Sequence, residues 1–477
     1  MVFSSLTFFL LFLPVLLLLY FAVPHRRWRN GVLILGSLFF YGWGEPVWIL
    51  AMLFSTLVNY LCALLIDHAR SRFLRGLCLT LGVLASISFL VYFKYSAFFG
   101  NMYLAVTGSA RRLTAPGLPI GISFYTFQIL TYTVDVYRRK ARVQKNPARL
   151  LLYVSCFPQL IAGPIVQYAD VAGELRERRI APRDFTEGMQ RFVLGLGKKV
   201  LIANLCAAAL ADLVPAGSGT PMSLLGGWLG AALYALQIYF DFSAYSDMAI
   251  GLGRVLGFHY KENFDFPYAS ASITEFWRRW HISLGSFFRD YVYIPLGGNR
   301  HGAVRTILNM SLVWALTGLW HGASWNFVLW GVYYGVLLML ERFPLRRSLE
   351  RIPAVLRWLP TQLFVLIGWV IFYYESLPAV GEHLLSLVGC ALQDGSPVRA
   401  ALTDEAALGV LRQYGFFPLA AWVLSLPFLP KLCTWLRKSF ARPVMELFRG
   451  LFYVAVLALS VMFLIGQSYN PFIYFRF

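Results

Sequence analysis

The chain has 477 residues and a net charge of +19, and it is 58% hydrophobic, 17% aromatic and 14% charged. A mean hydropathy of +0.61 excludes a soluble protein and leaves a multi-pass membrane protein, with room for roughly ten to twelve spans of about 20 residues each. Lys and Arg fall in short clusters between apolar runs. Positive-inside bias and contact with anionic lipid explain that charge, and nucleic acid is not called for.

Phe3–Val23 reads as a retained first span, because it has neither a basic leader nor a small-residue cleavage signal. Arg26, Arg27 and Arg29 place the loop after it in the cytoplasm. Gly31–Trp43, Val47–Ile66, Leu74–Phe93 and Leu118–Val136 continue the alternation, with Arg70, Arg72 and the run Arg138–Arg142 again on alternate loops. Between them, Phe98–Pro116 predicts an interfacial helix and a loop. Leu150–Val166 is apolar but interrupted by Pro158, Gly163 and Pro164, which predicts a broken or re-entrant helix.

Glu174–Arg191 mixes acids and arginines and belongs in the cytoplasm. Phe192–Val214 and Leu224–Phe258 are apolar, the second carrying Asp241 and Asp247. Leu359–Tyr374 is a further span, and the acidic stretch Glu382–Arg412 suits the outer face. Phe416–Leu429 and Leu451–Gln467 read as the last spans, before an aromatic tail, Tyr469–Phe477. Cys62, Cys78, Cys156, Cys206, Cys390 and Cys433 are scattered and form no CxxC pair, which argues against a disulfide framework and a zinc site. There is no internal repeat and no separate soluble segment, so residues 1–477 read as one membrane domain.

Thr306–Leu340 contains no Asp, Glu, Lys or Arg, and its one side chain that titrates near neutrality is His321. At about 1.5 Å per residue, its two arms are about 22 and 28 Å long, against a hydrocarbon core of about 30 Å. Gly318 and Gly322 flank the histidine and weaken the helix there. The stretch therefore predicts a broken hairpin of two short or tilted helices, with His321 near the break and facing a cavity. An ionisable group at such a place is a functional candidate, although a structural histidine packed on a carbonyl is also compatible. Imidazole suits proton transfer near neutrality. No HxxxH or HxxE pattern surrounds it, so a metal is not expected.

Ser272–Glu275 reads as a capping box that opens a helix to about Asp290, with Trp277, His281, Leu284 and Phe288 on one face. This predicts an interfacial helix. His281 is either a second site residue or a histidine bonded to backbone. Asp241 and Asp247 are six residues apart and point to different faces. They form a buried polar network or, alternatively, line a proton or cation pathway. No Walker motif, dinucleotide fingerprint or serine elbow is present.

Several stretches together resemble the membrane-bound O-acyltransferase family, and within it the bacterial branch that acetylates alginate or transfers D-alanine to teichoic acid. They are Met1–Ser5, Leu118–Phe127, Ala162–Pro164, Tyr239–Gly251, Thr274–Leu284 (with its Trp277-Arg278-Arg279-Trp280-His281 core), Leu296–Arg300, Gly318–Ala323 and the tail Phe472–Phe477. The likeness runs from end to end and is least typical over Glu382–Gln413. It implies an all-α fold, a ring of helices around a thin central channel, with roughly 11 spans plus re-entrant and interfacial helices. It implies that His321 is the essential histidine and His281 the second polar position.

The resemblance further implies an O-acyltransferase of the bacterial inner (plasma) membrane that passes an acetyl group from acetyl-CoA outward, for O-acetylation of an extracytoplasmic polysaccharide such as alginate. No permanently bound cofactor is expected. The expected partners are a periplasmic SGNH-type acetyltransferase or polymer-modifying complex, the acyl donor and anionic lipid. D-alanyl transfer from a carrier protein is the alternative, and a non-enzymatic transporter or scaffold is the rival class. In the expected mechanism His321 is the general base, and His281 orients the donor or stabilises the oxyanion.

Overall fold

The computed structural model describes residues 1–214, 223–393, 396–466 and 472–473. Most of this is helix, and strands are almost absent. Among the described residues the strands are a single antiparallel pair, Cys390–Gln393 with Ser396–Arg399, in register Cys390 to Arg399. The pair lies inside the acidic segment, for which no strand was expected.

Six described helices are long and apolar enough to cross a membrane, among them Ile49–His68, Ala354–Tyr373 and Arg442–Gly466. A seventh appears if the bent pair Glu405–Tyr414 and Phe417–Leu424, angled at 70°, is taken as one span. This bend replaces the straight span expected over Phe416–Leu429. Other apolar helices, such as Phe8–Ala22, fall short of the length that a 30 Å core asks for.

The chain forms two compact units. The first takes Met1–Leu196, Tyr245–Glu262 and C-terminal residues from Leu464. In it the expected end of a helix at Phe93 is corrected. Arg72–Leu90 runs through a π-turn, Val91–Tyr95, into Ser96–Val106, making one 35-residue element. Three helices meet at Asn59, which is fully buried. Its amide donates to Ser86 Oγ at 2.7 Å, and its carbonyl oxygen accepts from Thr133 Oγ1 at 2.7 Å. In a bilayer such interhelical bonds replace the missing hydrophobic drive.

The broken element expected over Leu150–Val166 is present in the same unit, as helices Pro147–Ser155 and Phe157–Leu160, with Asn146 capping the first. Asp247 pairs with Arg191 at 2.9 Å, and Arg191 also binds Glu262. This is the network reading of that carboxylate.

The second unit takes Gly197–Ala244 and Asn263–Phe463. Asp241 there forms an ion pair with Lys199 at 2.5 Å, each side chain only 2% exposed. The hairpin is also here, as arms Gly302–His321 and Trp325–Arg342. Its first arm begins four residues earlier than the apolar run and has 20 residues, about 30 Å, so it is long enough to cross rather than short. The glycine argument is corrected too. Gly318 does not loosen the helix but lets the arms touch. A Cβ on it would lie 2.4 Å from the Phe327 carbonyl oxygen, and one on Gly331 would lie 2.5 Å from that of Trp314. The tail residues 474–477, and Tyr469–Pro471 before them, lie outside the described residues.

Candidate functional site

The site is built on the helix that Ser272 opens. Ser272 Oγ accepts from the Glu275 amide at 3.0 Å, and the Glu275 carboxylate accepts from the Ala271 amide at 2.9 Å. The capping box is therefore present, its return arm shifted by one residue. The remaining exposed amides of the first turn go to Glu341, at the end of the second hairpin arm. Its carboxylate accepts from Ile273 N at 2.7 Å, Thr274 N at 2.9 Å and Thr274 Oγ1 at 2.7 Å. A carboxylate at a helix N-terminus is favoured by both the free donors and the dipole. Glu341 thus fastens this helix to the hairpin.

The helix does not run to Asp290. It ends at Arg279 and resumes at Ile282, with His281 in the left-handed conformation at φ +47° and ψ +53°. For a residue with a Cβ this costs about 1–2 kcal/mol, so the surroundings must hold it. Asn263 does so. Its carbonyl oxygen accepts from Ile282 N at 2.9 Å. Its side-chain Oδ1 accepts from Ser283 N at 3.2 Å and Ser283 Oγ at 2.9 Å, and lies 3.2 Å from His281 Nδ1. A backbone amide can only donate, so the atom it meets is the oxygen of Asn263. The same oxygen then requires a proton on Nδ1. His281 is held as the Nδ1–H tautomer, with its Nε2 lone pair left as the acceptor.

His281 is 2% exposed. It stands on two seven-residue helices rather than on a span. Burial there lowers its pKa to about 3, because desolvation penalises the imidazolium. The ring meets Phe242 edge-on at 4.7 Å and Trp320 at 5.7 Å. With Trp277, Leu284, Phe288, Met310 and Thr317 it lines a cavity of about 190 Å³. All four residues expected on one helical face line that cavity, although the helix is broken between them. The space is well below the roughly 300–1,000 Å³ of drug-sized pockets and suits a small group.

His321 is the last residue of the first arm. It is as buried as His281, and its ring is packed edge-on by Trp320 at 4.8 Å, Trp330 at 5.0 Å and Phe372 at 5.0 Å. The break at 322–324 is where the sequence put it. The expectation that His321 faces a cavity is corrected: the cavity described here is lined by His281 and not by His321, whose ring is enclosed by aromatic side chains. Trp320 touches both imidazoles and so joins the two sequence motifs into one site.

Asn263 and Glu341 were not legible as site residues, since no spacing rule links them to a histidine 18 positions on or to a helix cap 67 positions back. Among the described residues, no group of three or more His, Cys, Asp or Glu side chains is placed to hold a metal ion.

Residues 79–378, well over half of the chain, match the pattern of the membrane-bound O-acyltransferase family. The chain belongs to that family. It is a multi-pass membrane O-acyltransferase. Over the full length of both chains it is 38% identical to a probable alginate O-acetylase of Pseudomonas aeruginosa. It is 31% identical to a peptidoglycan O-acetyltransferase of Helicobacter pylori, over all of this chain and 98% of the relative. Likeness to a teichoic acid D-alanyltransferase of Bacillus subtilis is weaker, 26% over 54% of this acyltransferase and 66% of that one.

Proposed function

We propose that the protein takes an acetyl group from acetyl-CoA at the cytoplasmic face of the bacterial inner membrane and passes it outward, for O-acetylation of an extracytoplasmic polysaccharide such as alginate. A periplasmic SGNH-type transferase or polymer-modifying complex would receive it. The observation that carries this reading is the full-length similarity to alginate and peptidoglycan O-acetylating relatives, together with two buried histidines that share Trp320. The 190 Å³ cavity against His281 supports a two-carbon acyl group over a long chain.

In this reading His321 is the general base. It takes the proton of the attacking hydroxyl as oxygen adds to the thioester carbonyl. The tetrahedral intermediate then collapses, the thiolate leaves, and the proton is returned to it. His281 has its Nδ1–H committed to Asn263 and presents a lone pair at Nε2. That suits orienting a hydroxyl or the donor by accepting a hydrogen bond. Donation to an oxyanion would need the protonated ring, which burial opposes. D-alanyl transfer is the second reading, and the partial similarity to teichoic acid D-alanyltransferases supports it.

The test is transfer of label from acetyl-CoA in membranes that contain the protein. His321→Ala should lower the rate by about 10²–10⁴-fold while the protein remains inserted. A wild-type rate in that variant would sink the assignment of His321. Label that moves only from a D-alanyl carrier would select the second reading.

A further inference from the structure

The first unit holds a second concavity, of about 660 Å³ and polar, where the loop after Tyr137 meets the end of Ile49–His68 and the start of Pro147–Ser155. Arg142, Lys145, Arg149 and Arg176 line it, with Asp67 as the one carboxylate. None of the four cations makes an ion pair among the described residues, although Arg183, Arg254 and Lys261 elsewhere in the unit are all paired. Four like charges around one hollow repel each other unless an anion lies between them.

The loop is held firmly from beneath. Gln144 is buried; its amide nitrogen donates to Tyr132 Oη at 3.0 Å, and its side chain donates to Tyr168 Oη at 3.0 Å. Gln144 Oε1 accepts from Asn146 N at 3.2 Å, and Tyr60 Oη donates to the Lys145 carbonyl at 2.8 Å. Arg26 donates to the Arg176 carbonyl at 2.7 Å and holds the backbone there. The cations therefore stand on a fixed frame, which lowers the ordering cost of binding.

We propose that this pocket binds a phosphate ester that carries free hydroxyl groups. Guanidinium forks match phosphate oxygens in pairs. Asp67 would repel a bare phosphate and instead accepts from a hydroxyl of its organic part. The volume falls within the range of small-molecule sites and exceeds what an inorganic phosphate fills. The basic loops place the pocket on the cytoplasmic side. Two sources offer this chemistry there, a glycerol phosphodiester headgroup of the membrane and a soluble ribose phosphate. The inference stands apart from the acyl-transfer reading and does not depend on it.

The test uses the full-length protein in nanodiscs. One arm measures binding of adenosine 3′,5′-bisphosphate in neutral phosphatidylcholine discs. The other compares retention of phosphatidylglycerol with that of phosphatidylcholine by native mass spectrometry. Each is run for wild type, for the triple variant Arg142→Gln, Arg149→Gln, Arg176→Gln, and for a control, Arg347→Gln with Arg351→Gln, on an exposed helix elsewhere. The triple variant should lose about tenfold or more in one arm, while the control loses little. Loss in the nucleotide arm assigns a soluble ligand, and loss in the lipid arm a headgroup. No preference in either arm, or equal loss in the triple variant and the control, overturns the proposal. All five substituted arginines are exposed or half-buried and lie outside the histidine site, so folding is preserved.

Discussion

Asn263 Oδ1 lies 3.2 Å from His281 Nδ1 while also accepting from the amide and the hydroxyl of Ser283. One oxygen thus fixes a strained backbone turn and selects the imidazole tautomer. Because Asn263 precedes His281 by 18 residues, the contact exists only through the fold.

This contact separates two substitutions. Asn263→Leu removes the acceptor, and transfer should fall by about 10²-fold. Asn263→Asp keeps the acceptor and adds a negative charge beside the ring. An opposite charge raises an imidazole's pKa, so His281, now held near 3 by burial, would begin to protonate at higher pH. The acid limb of the pH–rate profile should move upward in Asn263→Asp, with activity at alkaline pH largely kept. Equal losses in both variants with an unmoved limb would reduce Asn263 to a fold-holding residue.

Glu341 collects three hydrogen bonds from the first turn of the helix that leads to His281. Glu341→Ala leaves those donors unmet and should cost about 1–3 kcal/mol, read as a lower unfolding temperature in detergent. Transfer should drop further than the stability loss explains. Thr274→Val, which removes one of the three, should lose only a fraction of either quantity.

Lys199 and Asp241 form a buried pair. Asp241→Asn removes the carboxylate charge opposite the buried ammonium group, and about 3–5 kcal/mol should be lost. A joint Lys199→Met, Asp241→Leu change should recover most of that stability, since no lone charge remains. A double-mutant cycle by chemical denaturation measures the coupling. If Asp241→Asn unfolds like wild type, the pair contributes nothing to the fold.

The hairpin depends on Gly318 and Gly331, whose missing Cβ atoms would press on opposing carbonyls at 2.4 and 2.5 Å. Gly318→Ala should push the arms apart, displace Trp320 and His321, and abolish most transfer while the protein still inserts. Gly76→Ala, where a Cβ meets nothing within 4 Å, should be neutral. Transfer assays on matched amounts of inserted protein compare them.

Local patterns carried much of this protein in the sequence alone. Unbroken apolar runs have to sit in lipid, so the membrane class followed from composition. The gap between two charged borders gave the hairpin around His321, and a serine three residues before a glutamate gave the helix start at Ser272. These signals act over one or two turns, which is the range over which sequence spacing determines contact.

The tertiary structure decided the rest. It continued a helix past Phe93 to Val106, because the interrupting Lys94 is buried rather than exposed as a loop residue would be. It broke the helix at His281, because Asn263 offers that turn more hydrogen bonds than a straight helix would. It turned the charges of Asp241 and Asp247 into ion pairs by bringing Lys199 and Arg191 to them across 42 and 56 residues. It also set Trp320 against both histidines. Partners this distant are chosen by how the helices pack, since buried charges and unmet donors must find one another across elements whatever their separation in the chain.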